Sequence, residues 1–270
     1  MRIAARLCGA VLVPALAAGL LTAAPRVTSA QSALDVMKKE REVQRAKDEE
    51  ETQSMKLVSK QGSTKQRRVT RWSLQGPDYH FKSMIRFLAP RDVENTGLLT
   101  WEGKDGKDDQ WLYLPATRQA KRIAASGKKN RFMGTDFAYE DLRDENLDIH
   151  TYTLTGSEAV DGRDCFVVEA VPATESQVGQ TGYSKRKLWI RKDITYIVKR
   201  EYYDKSGKLK KVQHDRKLIQ VKGTIWRANE VEMDDVQDGT KTILTTEKRA
   251  LDKGLKDSFF SVAELTRAGL

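Results

Sequence analysis

The stretch NRFMGTDFAYEDL, residues 130–142, gathers Asp136, Glu140 and Asp141 just after Gly134, and Asp144 follows two residues beyond its end. If the segment is helical, Asp136 and Glu140 are four apart and share a face, while Asp141 and Asp144 occupy a neighbouring one. Carboxylates paired in this way can move protons when a dry pocket raises the pKa of one of them. The structural alternative is simpler. Thr135 or Asp136 caps a short helix, and the early acids favour the positive end of its dipole. Phe137, Tyr139 and Leu142 then give that helix an apolar side.

Elsewhere the residue types that carry chemistry are scattered. His80, His150 and His214 each stand alone in strand-like segments. There is no HxH, HExxH or paired CxxC spacing, so no zinc centre is expected. No GxSxG elbow, P-loop or GxGxxG precedes a helix, which leaves hydrolase and nucleotide readings without an anchor. The expectation is a protein without metal, cofactor or covalent catalysis. The chain has two cysteines, Cys8 and Cys165. Cys165 lies in the apolar run CFVVEAV and reads as a buried, inert thiol.

The first thirty residues have the form of a leader. Arg2 and Arg6 precede an apolar stretch from residue 7 to about 21, and Thr28-Ser29-Ala30 supplies small residues before Gln31. This is the pattern of a secretory signal peptide cleaved after Ala30, with an apolar run short of the roughly 20 residues a membrane span needs. Cys8 sits before the apolar core rather than at the cleavage point, so lipidation is not expected. Residues 31–270 then form a single periplasmic domain with one cysteine and no internal disulfide.

The chain carries a net charge of +10, which becomes about +7 once Arg2, Arg6 and Arg26 leave with the leader. Basic residues cluster at Lys65, Arg67, Arg68 and Arg71, around Lys128, Lys129 and Arg131, and in the hairpin from Lys205 to Lys211. Such a surface would suit nucleic acid, but export argues against that partner. An anionic membrane surface or an acidic protein fits the compartment better.

Most of the remaining sequence supplies a scaffold. Residues 32–47 read as one exposed helix capped by Ser32, with a narrow stripe of Leu34, Val36, Met37 and Val43. From residue 51 onward the period falls to two. Segments 51–60, 65–74, 79–88, 97–101 and 110–114 read as strands, as do 148–155 and 164–171. A meander of candidate strands runs from 185 to 249 on the short turns RKD, DKSG, VKG and QDG. The total, about ten or eleven long strands, exceeds what a flat open sheet easily sustains. A curled, mainly β antiparallel sheet is expected, with short helices near 135–146 and 261–267 over its mouth.

Several motifs in order carry a family likeness: FLAPRDVENTGLLTWE at 87–102, DDQWLYLPATRQAKRI at 108–123, RFMGTDFAYEDL at 131–142, and EYYD followed by GKLKK at 201–211. The ordered set resembles the outer membrane lipoprotein-sorting proteins, LolA-like periplasmic carriers, and in particular the branch associated with RND/MMPL-type exporters. The resemblance implies a half-open antiparallel β-barrel with a few covering helices, LolA/LppX-like, that holds an acyl or other lipid group. It implies lipid or lipoprotein cargo and an inner-membrane RND/MMPL-type transporter as partners. Candidate cavity residues are Met84, Phe87, Leu99, Trp101, Trp111 and Tyr113 in the strands, with Phe132, Met133, Phe137 and Tyr139 in the lid. Two rivals stand beside the carrier: an adaptor docking on the transporter through Lys128 and Lys129, and an enzyme on lipid-linked substrates using Asp136 and Glu140.

Overall fold

The structure is a computed structural model that describes residues 32–76 and 80–267. The leader expected at residues 1–30 lies outside the described residues. Helix α1, Ala33–Val43, begins where the sequence places it. The Ser32 hydroxyl accepts from the Asp35 N–H at 3.1 Å, and the Asp35 carboxylate accepts from the Ser32 N–H at 3.3 Å. This reciprocal box satisfies two amides that the first helical turn leaves unpaired. The buried stripe is narrower than expected. Ala33, Val36 and Met37 are covered, whereas Leu34 remains 37% exposed.

The strands are β1 (Asp48–Val58), β2 (Thr64–Gln75), β3 (Phe81–Ala89), β4 (Gly97–Trp101), β5 (Asp109–Leu114) and β6 (Gln119–Arg122) in the first half. In the second half they are β7 (His150–Val160), β8 (Arg163–Pro172), β9 (Lys185–Arg191), β10 (Tyr196–Tyr203), β11 (Leu209–Lys222), β12 (Ile225–Asp235) and β13 (Thr240–Leu251). Two short helices, α2 (Glu175–Gln180) and α3 (Val262–Thr266), complete the elements needed here. The sheet therefore has thirteen strands rather than ten or eleven. β6 is a short exposed strand without an apolar alternation, and α2 has no buried residue, so neither leaves a periodic trace in the sequence.

All thirteen strands lie in one antiparallel sheet, ordered β6-β5-β4-β3-β2-β1-β13-β12-β11-β10-β9-β8-β7. The β7–β8 hairpin turns at Asp161-Gly162, both at positive φ (49° and 72°); this is the primed turn that matches strand twist. The order has a consequence for the segment between β6 and β7. Those strands are the two opposite edges of the sheet, so residues 123–149 must cross from one edge to the other.

The crossing also shows that the sheet is curled. Gln110 of β5 donates to the Tyr139 carbonyl at 3.0 Å, and Lys211 of β11 donates to Asp141 at 3.1 Å. Seven strand spacings separate β5 from β11, a distance of about 34 Å on a flat sheet. Both strands reach the same few residues only because the sheet wraps around them. It is not closed, since β6 and β7 do not pair.

Apolar packing lies on both faces. On the concave face, α1 covers Val168, Ala170, Leu188, Ile190 and Ile197, and the crossing segment covers Met55, Val69, Ile85, Phe87 and Leu98. On the convex face, Phe260 and Leu265 of the C-terminal segment cover Met84, Leu99 and Tyr113. Buried Arg86 of β3 donates to the carbonyls of Glu264, Leu265 and Arg267 at 2.8–3.1 Å. It thereby satisfies the last acceptors of α3. Cys165 is buried with Val167, Trp189 and Val198, and that burial pushes its thiol up.

Candidate functional site

The crossing segment is a folded lid. Phe132 N–H donates to the Phe137 carbonyl at 2.8 Å, and Thr135 N–H donates back to Phe132 at 2.9 Å. The turn residues between them, Met133 and Gly134, both have positive φ, 48° and 73°. This is again a primed turn. The helical piece that follows is only a 3-10 turn, Tyr139–Leu142. Thr135 and Asp136 do not cap it. The preceding residue is Ala138, whose N–H donates to the Asp141 carboxylate at 2.7 Å.

The acids serve as pins. Asp136 accepts from Thr240 at 2.5 Å and Thr242 at 2.6 Å, which ties the lid to β13. Glu140 accepts from the Thr181 hydroxyl at 2.6 Å and the Gly182 N–H at 2.8 Å. Burial and then the neighbouring Asp141 push the Glu140 carboxyl up. Asp141 accepts from Tyr183 at 2.9 Å and from Lys211. Each of the three carboxylates is thus held by fixed partners in the second half of the chain.

Beneath the lid and beside α1 lies a cavity of about 310 Å³ that is partly open to solvent. Its lining is polarised along the strands. Going along β1, the inward positions are Glu49, Glu51, Gln53 and Met55. Their neighbours follow suit. Glu51 pairs with Arg71 across β2 and with Arg249 across β13, while Met55 pairs with Leu244. On β12, Arg227 gives way to Val231, which pairs with Leu244. One end is therefore apolar, walled by Met55, Val69, Ile85, Phe132, Phe137 and Leu244. The other end, under α1, is charged.

The charges that line the cavity fall into three clusters, one at that end and two on the β9–β11 flank, where Asp215 lies level with Val231. Arg227 donates to Glu49 at 2.9 Å, and Arg249 donates to Glu51 at 2.7 Å. Arg200 meets Asp215 at 3.3 Å, and Tyr196 donates to the same carboxylate at 3.0 Å. Arg186 donates to Glu145 at 3.0 Å. Burial pushes the Glu145 carboxyl up, but the Arg186 guanidinium beside it brings it below the usual range. His150 is pushed down to about 4 by burial and Arg186, so it stands neutral beside them. Glu40 of α1 also faces the cavity. Burial, partly offset by Arg200, raises its carboxyl to about 7.

The residues expected from the sequence to line a cavity separate into groups. Phe132 and Phe137 line it. Phe87, Met133 and Tyr139 pack in the apolar cluster behind Phe132, with the Phe87 and Phe132 rings 5.6 Å apart. Met84, Leu99, Trp101, Trp111 and Tyr113 lie on the convex face, under Phe260 and Leu265. Strand parity explains the separation: Met84 and Phe87 are an odd number of residues apart and point to opposite faces. Lys128 is not available for docking. Its ammonium is buried and donates to the Asp108 carbonyl at 2.9 Å, and burial lowers its pKa. The charged end of the cavity was not foreseen, although the inward alternation of Glu49, Glu51 and Gln53 before Met55 carries its signal.

An unclosed antiparallel sheet, curled around a cavity and lidded by its own edge-to-edge crossing, defines the LolA-like class of fold. A solved outer membrane lipoprotein-sorting protein domain from Vibrio parahaemolyticus is similar to 87% of this chain and 98% of its own length, with 31% identity and a TM-score of 0.83. The chain belongs to this family of outer membrane lipoprotein-sorting proteins. A DUF1329 family protein from Desulfovibrio piger shares 29% identity over 86% of this chain and 97% of its own, with a TM-score of 0.80. A LolA superfamily protein from Nitrosomonas europaea shares the fold at 19% identity over 87% of this chain and 100% of its own, with a TM-score of 0.69. Residues 80–267 match a family model described as "Uncharacterized protein". No curated protein matches the chain.

Proposed function

We propose that this protein is a periplasmic carrier that holds an acyl-type cargo, a lipid or lipoprotein, in the cavity under the crossing segment. It passes that cargo between an inner-membrane exporter of the RND/MMPL type and the outer membrane, without covalent chemistry. The observation that carries the reading is the pairing of an apolar cavity end with a lid fastened by side chains. Each buried methylene of a chain contributes about 0.8 kcal/mol, so the wall formed by Met55, Val69, Ile85, Phe132 and Leu244 can hold an alkyl segment. The cavity is partly open to solvent, which gives the cargo a way in and out. Similarity to a lipoprotein-sorting domain over nearly the whole of that domain supports the same reading.

Solvent extraction of protein purified from the periplasm, followed by mass spectrometry, tests the proposal. Acylated species in stoichiometric amount are expected. A protein that comes out empty and takes up no lipid or lipopeptide afterwards would sink the carrier reading.

A further inference from the structure

The charged end of the cavity goes beyond a site for alkyl chains. Most of the cavity's charges are matched by direct partners: Arg227 by Glu49, Arg200 by Asp215, Arg186 by Glu145 and Glu51 by Arg249. Arg71 and Glu40 also face the cavity and are held more loosely. Arg71 reaches its nearest acid, Asp144, only at 3.8 Å, and 30% of its side chain is exposed. Glu40 feels Arg200 and Arg227 at a distance, while its hydrogen bond comes from the Ile197 backbone. Both line the same cavity, and Asp144 of the crossing segment approaches Arg71. An uncharged head placed here would displace water from these groups without supplying a counter-charge, which is costly. A guanidinium favours phosphate, and an ammonium placed against the Glu40 carboxyl stabilises its ionised form and pairs with it.

We propose that the cavity takes a single-chain amphiphile with a zwitterionic head, its phosphate at Arg71, its primary ammonium at Glu40 and its tail toward Phe132 and Phe137. This rests on the carrier reading and narrows its cargo class. The polarity along β1 and β12 sets the orientation, since a reversed ligand would place methylenes among ion pairs.

Calorimetry on the delipidated full protein tests the assignment with four probes. Three share one acyl chain: lysophosphatidylethanolamine, lysophosphatidylglycerol and a monoacylglycerol. The fourth is chainless glycerophosphoethanolamine. The zwitterionic lysolipid is expected to bind at least tenfold tighter than the other two chains, and the chainless head not measurably. Arg71→Gln should erase its advantage over the monoacylglycerol, and Glu40→Gln its advantage over lysophosphatidylglycerol. Equal affinity for all three acyl probes overturns the head-group assignment and leaves the carrier reading standing. Tight binding of the chainless head overturns the amphiphile assignment in favour of a soluble ligand. Failure of all four overturns both readings. The wild-type series decides between these outcomes without relying on the folding of any variant.

Discussion

Asp141 and Lys211 form an ion pair at 3.1 Å in which both side chains are almost wholly buried, at 1% and 2% exposure. It fastens the middle of the crossing segment to β11, and Tyr183 bonds to both partners. A pair of this kind is costly to break from one side, because the remaining charge stays buried. Asp141→Asn is expected to lower stability by about 3–5 kcal/mol. Adding Lys211→Met should recover a large part of that loss, as chemical denaturation of both variants will show. Equal stability of Asp141→Asn and wild type would mean the pair does not hold the lid.

Glu40 predicts a pH dependence. Its folded carboxyl titrates at about 7, against 4.5 in an ordinary setting. The folded state therefore keeps a proton that the unfolded chain has already released. The stability this confers is complete below the ordinary value and is lost as pH rises through about 7. Glu102, raised to about 7 by burial and then Asp144, titrates in the same window. Glu40→Gln should flatten the decline without abolishing it and raise stability at pH 8 by up to about 3 kcal/mol relative to wild type. Thermal melts between pH 5 and 8 check this. An unchanged slope would remove Glu40 as its source.

The convex-face cluster should matter for folding and not for binding. Leu265 is fully buried against Met84, Leu99 and Tyr113. Leu265→Ala is expected to cost about 2–5 kcal/mol, with acyl-probe affinity per folded molecule unchanged. A selective loss of affinity would return Trp101 and Trp111 to the cargo site.

How much of this was legible in the sequence depends on the kind of signal. Ser32 and Asp35 announce their capping box locally, so the start of α1 is readable residue by residue. The long strands show themselves through alternation, and their number leads to a curled sheet. Strand parity also assigns faces within a strand, and following it strictly would have separated Met84 from Phe87. What the local sequence withholds is partnership across long separations. Asp136 meets Thr240 and Thr242, and Asp141 meets Lys211. The acids looked like a helix start or a proton relay because their partners lie far along the chain. The position of the crossing segment follows from strand order, which no local pattern encodes.

Filling the apolar end should block cargo while leaving the fold in place. Leu244 sits at that end, partly buried, opposite Met55. Leu244→Trp is expected to weaken binding of a fluorescent acyl probe at least tenfold, at a stability cost of about 1–3 kcal/mol. Undiminished binding would place the probe elsewhere.

The central claim is that cargo lies beneath the crossing segment on the concave face. Photo-crosslinking with a diazirine-bearing acyl chain, read by peptide mapping, tests it most directly. Adducts are expected on Met55, Phe132, Phe137 and Leu244, and should disappear when unlabelled lipid competes. Adducts confined to the convex-face segments around Trp101, Trp111 and Phe260, or insensitive to competition, would contradict it.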